Sequence, residues 1–339
     1  MLILGIDTSC DDTSASVVRG GKEILSDIVS SQDRIHKKYG GIVPELASRR
    51  HIEMIWPVVN EALLEARITS TDIAAIAVCH GPGLIGSLLV GCSFAKALCY
   101  AHRIPLVAVN HLEGHIFSCF LESRVDEVSP LISRGSPEFP FLSLIVSGGH
   151  TSLYRVDRFG KYKELGRTRD DAAGEAFDKV SKLLGLGYPG GPIIERYAHE
   201  GNPKAVEFPR AYLPENLDFS FSGLKTAVSN YLRKEVHISL PDICAGFQQA
   251  VVDVLVKKTE WALRRERMKR VVLAGGVAAN SALRGRFLLL AAERSLEVWI
   301  PPRPLCTDNA AMIAAAGYHH FRDGETSDME LNPKAYLPL

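Results

Sequence analysis

Leu142-Ser143-Leu144-Ile145-Val146-Ser147-Gly148-Gly149-His150-Thr151, continued by Ser152 to Val156, is an apolar run, a turn of small residues and a second apolar run. It repeats the start of the chain, where Leu2 to Ile6 and Ser14 to Val18 flank Asp7-Thr8-Ser9-Cys10-Asp11-Asp12-Thr13. Aliphatic and β-branched runs bounded by Gly, Ser and Asp read as strands joined by tight turns. The backbone N–H groups and hydroxyls of such turns can face a phosphate. The repeat extends outward from these hairpins. In the first half come a helix at Pro44 to Arg67 (Leu46, Ile52, Ile55, Val59 and Leu63 at helical spacing), a strand at Ile73 to Val78, a glycine turn at His80 to Ser87 and a helix through Tyr100. A strand at Ile104 to Val109 and a second helix follow. The second half runs through a helix at Ile243 to Arg264, a strand at Arg270 to Leu273, a glycine turn at Ala274 to Asn280 and a helix at Ser281 to Arg294. It closes with a strand at Glu297 to Ile300 and a helix opened by Thr307-Asp308-Asn309.

A duplicated α/β unit of this order is the plan of the actin, sugar-kinase and Hsp70 class, with two domains around a central cleft. The expected organisation is an N-terminal half at 1–122, a linker at 123–140 and a C-terminal half at 141–339. The linker holds Pro130, Pro137 and Pro140, has no periodicity and reads as an exposed loop. The second half carries an insertion at about 161–240. Within it Asp170 to Lys179 is helical by propensity, Tyr188-Pro189-Gly190-Gly191-Pro192 is a turn, and Phe219 to Lys225 is a polar and aromatic loop of the pocket-lining kind.

Composition narrows the function classes. The hydrophobic share is 46% and the charged share 23%, as in soluble globular proteins. No apolar run reaches the roughly 18 to 20 residues of a membrane span, so no membrane role is expected. The opening Met1 to Asp7 reads as a first strand rather than a signal peptide. Seven cysteines without a C-x-x-C pair point to reduced thiols and a cytoplasmic setting. With 39 basic and 39 acidic residues, nucleic-acid binding has to come from a local patch or a partner. Arg49-Arg50 reads as a solvated helix face, and the run Arg264, Arg265, Arg267, Lys269, Arg270 as favourable charge at a helix C-terminus.

Asn110-His111-Leu112-Glu113-Gly114-His115 carries the chemistry. Two imidazoles four residues apart share a helix face, about 6 Å apart at Cβ, and can hold one metal ion. The duplication points to a third ligand: Asp308 opens the helix that corresponds to the one bearing His111. Two His and one carboxylate form a facial set with open positions, suited to Fe(II) or Zn alike. The alternative for Asp308 is a helix cap. Ser9, Cys10 and Asp11 are candidates for a phosphate-facing hairpin, against the plainer reading of a polar hairpin with Asx turns. A zincin needs Glu directly after the first His. Here Leu112 stands there, and Glu113 lies about 200° round the helix from His111.

The motifs Ile6 to Thr13, Asn110 to His115, Val146 to Thr151, Asp170 to Lys179, Tyr188 to Pro192 and Gly275 to Asn280, in this order and spacing, resemble the universal tRNA threonylcarbamoyladenosine transferase family. The resemblance runs from about residue 2 to about 320. It implies transfer of a threonylcarbamoyl group from threonylcarbamoyl-adenylate to N6 of the adenosine 3′ of the anticodon, in tRNAs reading codons that begin with A. It also implies one divalent metal held by His111, His115 and Asp308, Fe(2+) before Zn(2+). Ile145, Val146, Ser147, Gly148, Gly149, Asp178, Gly191, Glu195 and Asn280 would hold the adenylate. The partners it implies are tRNA, a degenerate paralogue of the same fold and a small P-loop ATPase. The general base is not identified by the resemblance; His80 and His150 stand in the turns expected to face the cleft. A small-molecule kinase or ATPase of the same fold, a metallopeptidase and a non-catalytic scaffold are the competing readings.

Overall fold

The computed structural model describes residues 1–122, 132–133, 135–234 and 239–339, so most of the expected linker at 123–140 lies outside the described residues. Two five-stranded mixed sheets carry the chain. In the first, β1 (Leu2–Asp7), β2 (Asp12–Arg19) and β3 (Glu23–Ser31) form an antiparallel meander, and β4 (Ala75–Gly81) and β5 (Leu106–Asn110) continue parallel from β1. Its order is β3-β2-β1-β4-β5. The second sheet has β6 (Phe141–Val146), β7 (Thr151–Arg158) and β8 (Lys161–Arg167) as the meander, with β9 (Arg270–Ala274) and β10 (Glu297–Trp299) parallel to β6. Its order, β10-β9-β6-β7-β8, repeats the first strand for strand.

The third strand of each meander went unread in the sequence. β8 is half-exposed and carries Lys161, Lys163, Glu164 and Arg167. Charged residues suit a sheet edge and break the apolar alternation by which strands are recognised. The insertion therefore begins after Arg167 rather than at 161. Its helices are α5 (Ala173–Leu183), α6 (Gly190–Ala198) and α7 (Ser222–Lys234). The expected turn at Tyr188 to Pro192 is only half a turn, since α6 starts at Gly190 after a cis Tyr188–Pro189 bond. The expected loop at Phe219 to Lys225 turns helical at Ser222. There Asp170 accepts from the N–H groups of Phe221 and Ser222 and from the hydroxyls of Ser220 and Ser222.

The remaining helices are α1 (Asp33–His36), α2 (Pro44–Ala66), α3 (Ile85–His102), α4 (His111–Phe117), α8 (Leu240–Glu266), α9 (Ser281–Arg294) and α10 (Ala310–Arg322). Contrary to expectation, α3 is long and apolar enough to cross a membrane, with a mean hydropathy of 1.2. In this fold it packs on β4 and α2, with Leu88, Cys92, Ala95 and Cys99 buried.

The chain divides into two compact units, Met1–Glu127 with Thr307–Leu339, and Val128–Cys306. The second half was expected to run to 339, and its last helix instead belongs to the first unit. The reason is steric. α10 presents Ala310, Ala311, Ala314 and Ala315, all fully buried, to the first sheet. A Cβ on Gly5 of β1 would stand 2.2 Å from the Ala310 carbonyl oxygen, and one on Gly317 would stand 2.3 Å from Cβ of Ala77. Only glycine permits that approach. Beyond α10 the chain stays with this unit: the Ser327 N–H donates to Leu106 O, and the Lys334 N–H to His80 O. The described part of the linker binds the other sheet. Ser133 exchanges hydrogen bonds with Val298, and Trp299 Nε1 donates to Gly135 O, so this part of the linker, expected as an exposed loop, covers the edge strand β10.

An ion pair ties α4 to α10. Glu113 Oε2 lies 2.7 Å from His320 Nε2, and the other ring nitrogen of His320 meets Glu325. Burial alone would lower His320, but Glu113 and then Glu325 outweigh it and hold the imidazolium up to about 9. A pKa raised on folding adds stability that is complete below the unfolded value near 6.5 and disappears as pH rises to about 9. His320→Gln is therefore expected to destabilise the chain by on the order of 2 kcal/mol below pH 6.5. Urea titrations across pH 6 to 9.5 should show the difference from wild type shrinking upward. Gly5→Ala is expected to cost about 1–3 kcal/mol from overpacking at any pH. An unchanged urea midpoint would contradict the close approach of α10.

Candidate functional site

Both imidazoles stand on α4, whose first turn is capped by Asn110: its Oδ1 accepts from the Leu112 N–H. Asp308 sits two residues before α10, and Asn309 rather than Asp308 caps that helix, accepting from the Met312 N–H. The cap alternative for Asp308 is thereby corrected. Asp308 Oδ1 is 3.5 Å from His111 Nε2 and 3.3 Å from His115 Nε2. Donors about 2.1 Å from a shared ion stand about 3.0 to 3.4 Å apart for octahedral to tetrahedral angles. His115 is fully buried, and its Nε2 faces only the Asp308 oxygen, at 3.3 Å; a cation between the two would satisfy that nitrogen. The residues fit a metal ion. All three belong to the first unit.

Behind them lies a cradle. Asp7, at the end of β1, sets Oδ2 3.2 Å from His111 Nδ1, while its Oδ1 accepts from the Ser9 N–H. Ser9 Oγ is 3.1 Å from the same Nδ1. An aspartate on the far nitrogen of a ligating histidine fixes its tautomer and orientation. Cys79 also stands close to Asp7 and His111, but burial and then Asp7 push its thiol up to about 12, so it stays protonated. Without a cation, burial opposes charge on His111, yet Asp308 and Asp7 outweigh it and raise His111 well above its usual value. Burial would raise Asp308, and His111 instead holds it well below the carboxylate range. His115, where burial prevails, is lowered.

At Ser9, Cys10 and Asp11 two of the hairpin's carbonyls are engaged within the unit. The Ser9 carbonyl accepts from the Leu84 N–H, and the Cys10 carbonyl lies 3.0 Å from Nε2 of the buried His51. Burial and then the Asp308 charge raise Asp11 to about 6. Burial followed by Asp11 raises Asp12 to about 7 and the Cys10 thiol well above its usual value. Acidic groups so placed repel an anion.

The second unit assembles the other candidates into a closed circuit. Ile145 and Val146 have buried side chains, so only their backbone is available to a ligand. The turn Ser147 to His150 is braced by Ser147 N–H to His150 O, and Ser147 O accepts from Gly174 at the start of α5. Gly148 and Gly149 face open space. Asp178 on α5 accepts from the Gly190 N–H of α6 at 2.7 Å, and Gly191 beside it is open. Glu195 on α6 accepts from the Ser281 N–H of α9 at 2.7 Å. Asn280 caps α9 through Leu283 N–H and donates to Gln248 Oε1 at 2.7 Å. Gly275, at φ +91°, closes the circuit: a Cβ there would stand 2.5 Å from Val146 O. The open backbone at Gly148, Gly149 and Gly191 suits an anionic ligand, whereas the N–H groups of Gly174, Gly190, Ser281 and Leu283 at the helix starts already donate to Ser147, Asp178, Glu195 and Asn280. Of the two base candidates, His80 is lowered by burial and by Lys334, and His150 N–H donates to Ser147 Oγ.

Residues 23–315 match the family model described as tRNA N6-adenosine threonylcarbamoyltransferase. The chain belongs to this family. It is 59% identical to the tRNA N6-adenosine threonylcarbamoyltransferase of Thermodesulfovibrio yellowstonii over the whole of both chains. It is 54% identical to the Trichlorobacter lovleyi protein of that name over all of this chain and 97% of the other, and 52% to that of Clostridioides difficile over 100% and 98%. Full-length HypF in its phosphate- and nucleotide-bound form superposes with a TM-score of 0.61 at 15% identity, over 96% of this chain and 47% of that one. That likeness concerns the fold, which is the duplicated actin-like one.

As a transferase of this family, the chain is no zincin: Glu113 is turned to His320, away from the ligands. Sequence reasoning overlooked the roles of Asp7, His51 and Gln248. Asp7 lies in a quoted motif, and its signal was an aspartate closing a buried strand; His51 and Gln248 are polar positions on helices with no local signal. His111→Ala, His115→Ala and Asp308→Ala are each expected to abolish stoichiometric metal by elemental analysis. Asp7→Asn should keep the metal but weaken its binding about 10- to 100-fold in chelator competition.

Proposed function

We propose that this chain transfers the threonylcarbamoyl group of threonylcarbamoyl-adenylate to N6 of the adenosine 3′ of the anticodon, in tRNAs reading codons that begin with A. The observation that carries the reading is the His111–His115–Asp308 cluster, with its donor atoms at the spacing of metal ligands, in a member of the transferase family. In the reaction the N6 amine attacks the carbamoyl carbon, the bond to the adenylate phosphate breaks, and AMP leaves with the electron pair. His111, His115 and Asp308 would hold the metal, Fe(2+) in first place and Zn(2+) in second, which would supply a Lewis acid for charge developing on the carbamoyl oxygen. Asp7 and Ser9 hold His111 in place for it.

In the second unit, the Ile145 to Gly149 backbone, Gly191 and the helix starts held by Asp178, Glu195 and Asn280 are the proposed adenylate site. Support comes from the open space at Gly148, Gly149 and Gly191. Asp178 already accepts from Gly190, so its role there is to hold the α6 N-terminus as well as to meet the ligand. The proposed helpers are a paralogue of the same fold and a P-loop ATPase, in the cytoplasm. Exposed apolar residues on α2 and α3, Ile52, Trp56 and Leu89, favour a protein partner on that face.

The test is transfer of label from threonylcarbamoyl-adenylate to unmodified tRNA, with both helpers present. Modified nucleoside is expected, at least about 100-fold less after exhaustive chelation, and restored by added metal. Product formation undiminished in metal-free protein would overturn the metal-assisted reading.

A further inference from the structure

A chain with 39 basic and 39 acidic residues needs local, unneutralised cations to grip RNA. The densest basic run, 264–270, is neutralised only in part, since Arg265, Arg267 and Lys269 are exposed and enter no ion pair among the described residues, but the run contains no aromatic ring. Arg264 and Arg294 share Glu260, and Arg270 pairs with Glu138 and Glu297. On α2, Arg49 pairs with Glu45 and Arg50 with Glu53. The segment between β3 and α2 differs. Arg34, Lys37 and Lys38 are exposed and enter no ion pair among the described residues. Asp33 is the one acidic residue in 32–43, so three cations less one anion leave a charge of +2. Tyr39 follows them, 56% exposed.

This segment is built from within. Gln32 and His36 are fully buried. The Gln32 carbonyl accepts from the N–H groups of Ile35 and His36, and its Nε2 donates to Ala47 O. His36 Nδ1 accepts from the Val43 N–H. Gly40 at φ +67° and Gly41 at φ +154° turn the chain back into α2, a path that other residues rarely follow. The cations and the ring are thus displayed from a fixed base. The segment also starts beside the metal centre: Ser31, at the end of β3, pairs with Asp12, next to the Asp11 whose carboxyl feels Asp308.

Fixed cations beside an exposed aromatic ring match an RNA loop, which presents phosphates together with unstacked bases. We propose that residues 34–39 grip the anticodon arm of tRNA, with Arg34, Lys37 and Lys38 on phosphates and Tyr39 stacked on an unpaired base. This rests on the transferase reading above. An acidic protein partner would use the cations without the ring.

The test uses the full chain with its helpers and an unmodified transcript of a tRNA reading an A-initial codon. Binding is followed by fluorescence anisotropy through a salt series, and transfer by nucleoside analysis. Lys37→Glu with Lys38→Glu is expected to weaken binding at least about tenfold and to lower the salt slope by about 1 to 2. Tyr39→Ala should lower kcat/KM about tenfold with the salt slope kept. Metal content should stay at the wild-type level in all variants. Arg264→Ala with Arg294→Ala, whose guanidinium groups share Glu260, serves as the control that leaves binding unchanged. If the reversed pair loses its metal or its fold, Lys37→Gln with Lys38→Gln decides, with a smaller loss expected in the same direction. Wild type that neither binds nor modifies tRNA would overturn the transferase reading and this proposal with it. Wild type that does both, with variants matching it in affinity and slope, would overturn this proposal alone. Loss on charge reversal with Tyr39→Ala silent would point to an acidic protein and reject the RNA assignment.

Discussion

Everything distinctive about the first unit depends on how closely α10 approaches β1. Gly5 and Gly317 remove the side chains that would hold helix and sheet apart, and a face of alanines does the rest. The approach places the segment before α10 against the start of α4, which is what brings Asp308 within 3.5 Å of both ligating imidazoles. A larger residue at either glycine would move a backbone rather than a flexible side chain. Interiors are close-packed, so such a shift is transmitted rather than absorbed.

The two repeats use the same strand order for opposite electrostatic ends. In the first unit the hairpin after β1 carries Asp7, Asp11 and Asp12, its carbonyls and hydroxyl face histidines, and its acids crowd Asp308. Such a turn stabilises a cation and disfavours a phosphate. In the second unit the equivalent turn carries Ser147, Gly148 and Gly149 with no acid between them, and its neighbours are the starts of α5, α6 and α9. The exposed glycine backbone at Gly148 and Gly149 suits an anion better than the acid-rich turn does. One topology thus carries an acid-rich turn in one unit and an acid-free glycine turn in the other.

How much of this could be read beforehand follows from the kind of signal. The duplication was legible because buried strands leave contiguous apolar runs, and both sheets repeat as read. The edge strands β3 and β8 were not, since charged residues there erase the alternation. Helix α2 was placed almost to the residue, and Ile55 and Val59 are buried as read, but Ile52 is exposed and His51 takes the interior in its turn. A periodic count cannot anticipate that an imidazole bonded to Thr13 and Cys10 displaces an isoleucine from the interior. The ligand set was inferred from correspondence between the halves. Its housing was not, because the swap of α10 into the first unit depends on two glycines whose contacts are visible only in three dimensions.

The return of the last helix to the first sheet also sets an order of events during synthesis. A growing chain that has completed β1 to α4 has its two imidazoles but neither the helix that roofs β1 nor the third ligand. Domains generally fold from the N-terminus as the chain emerges, yet this one has to wait for residues beyond Thr307. Until then the face around Gly5 lacks its α10 cover, and His111 and His115 lack Asp308. Completion of that cluster is thereby deferred until the whole of the second unit has been made.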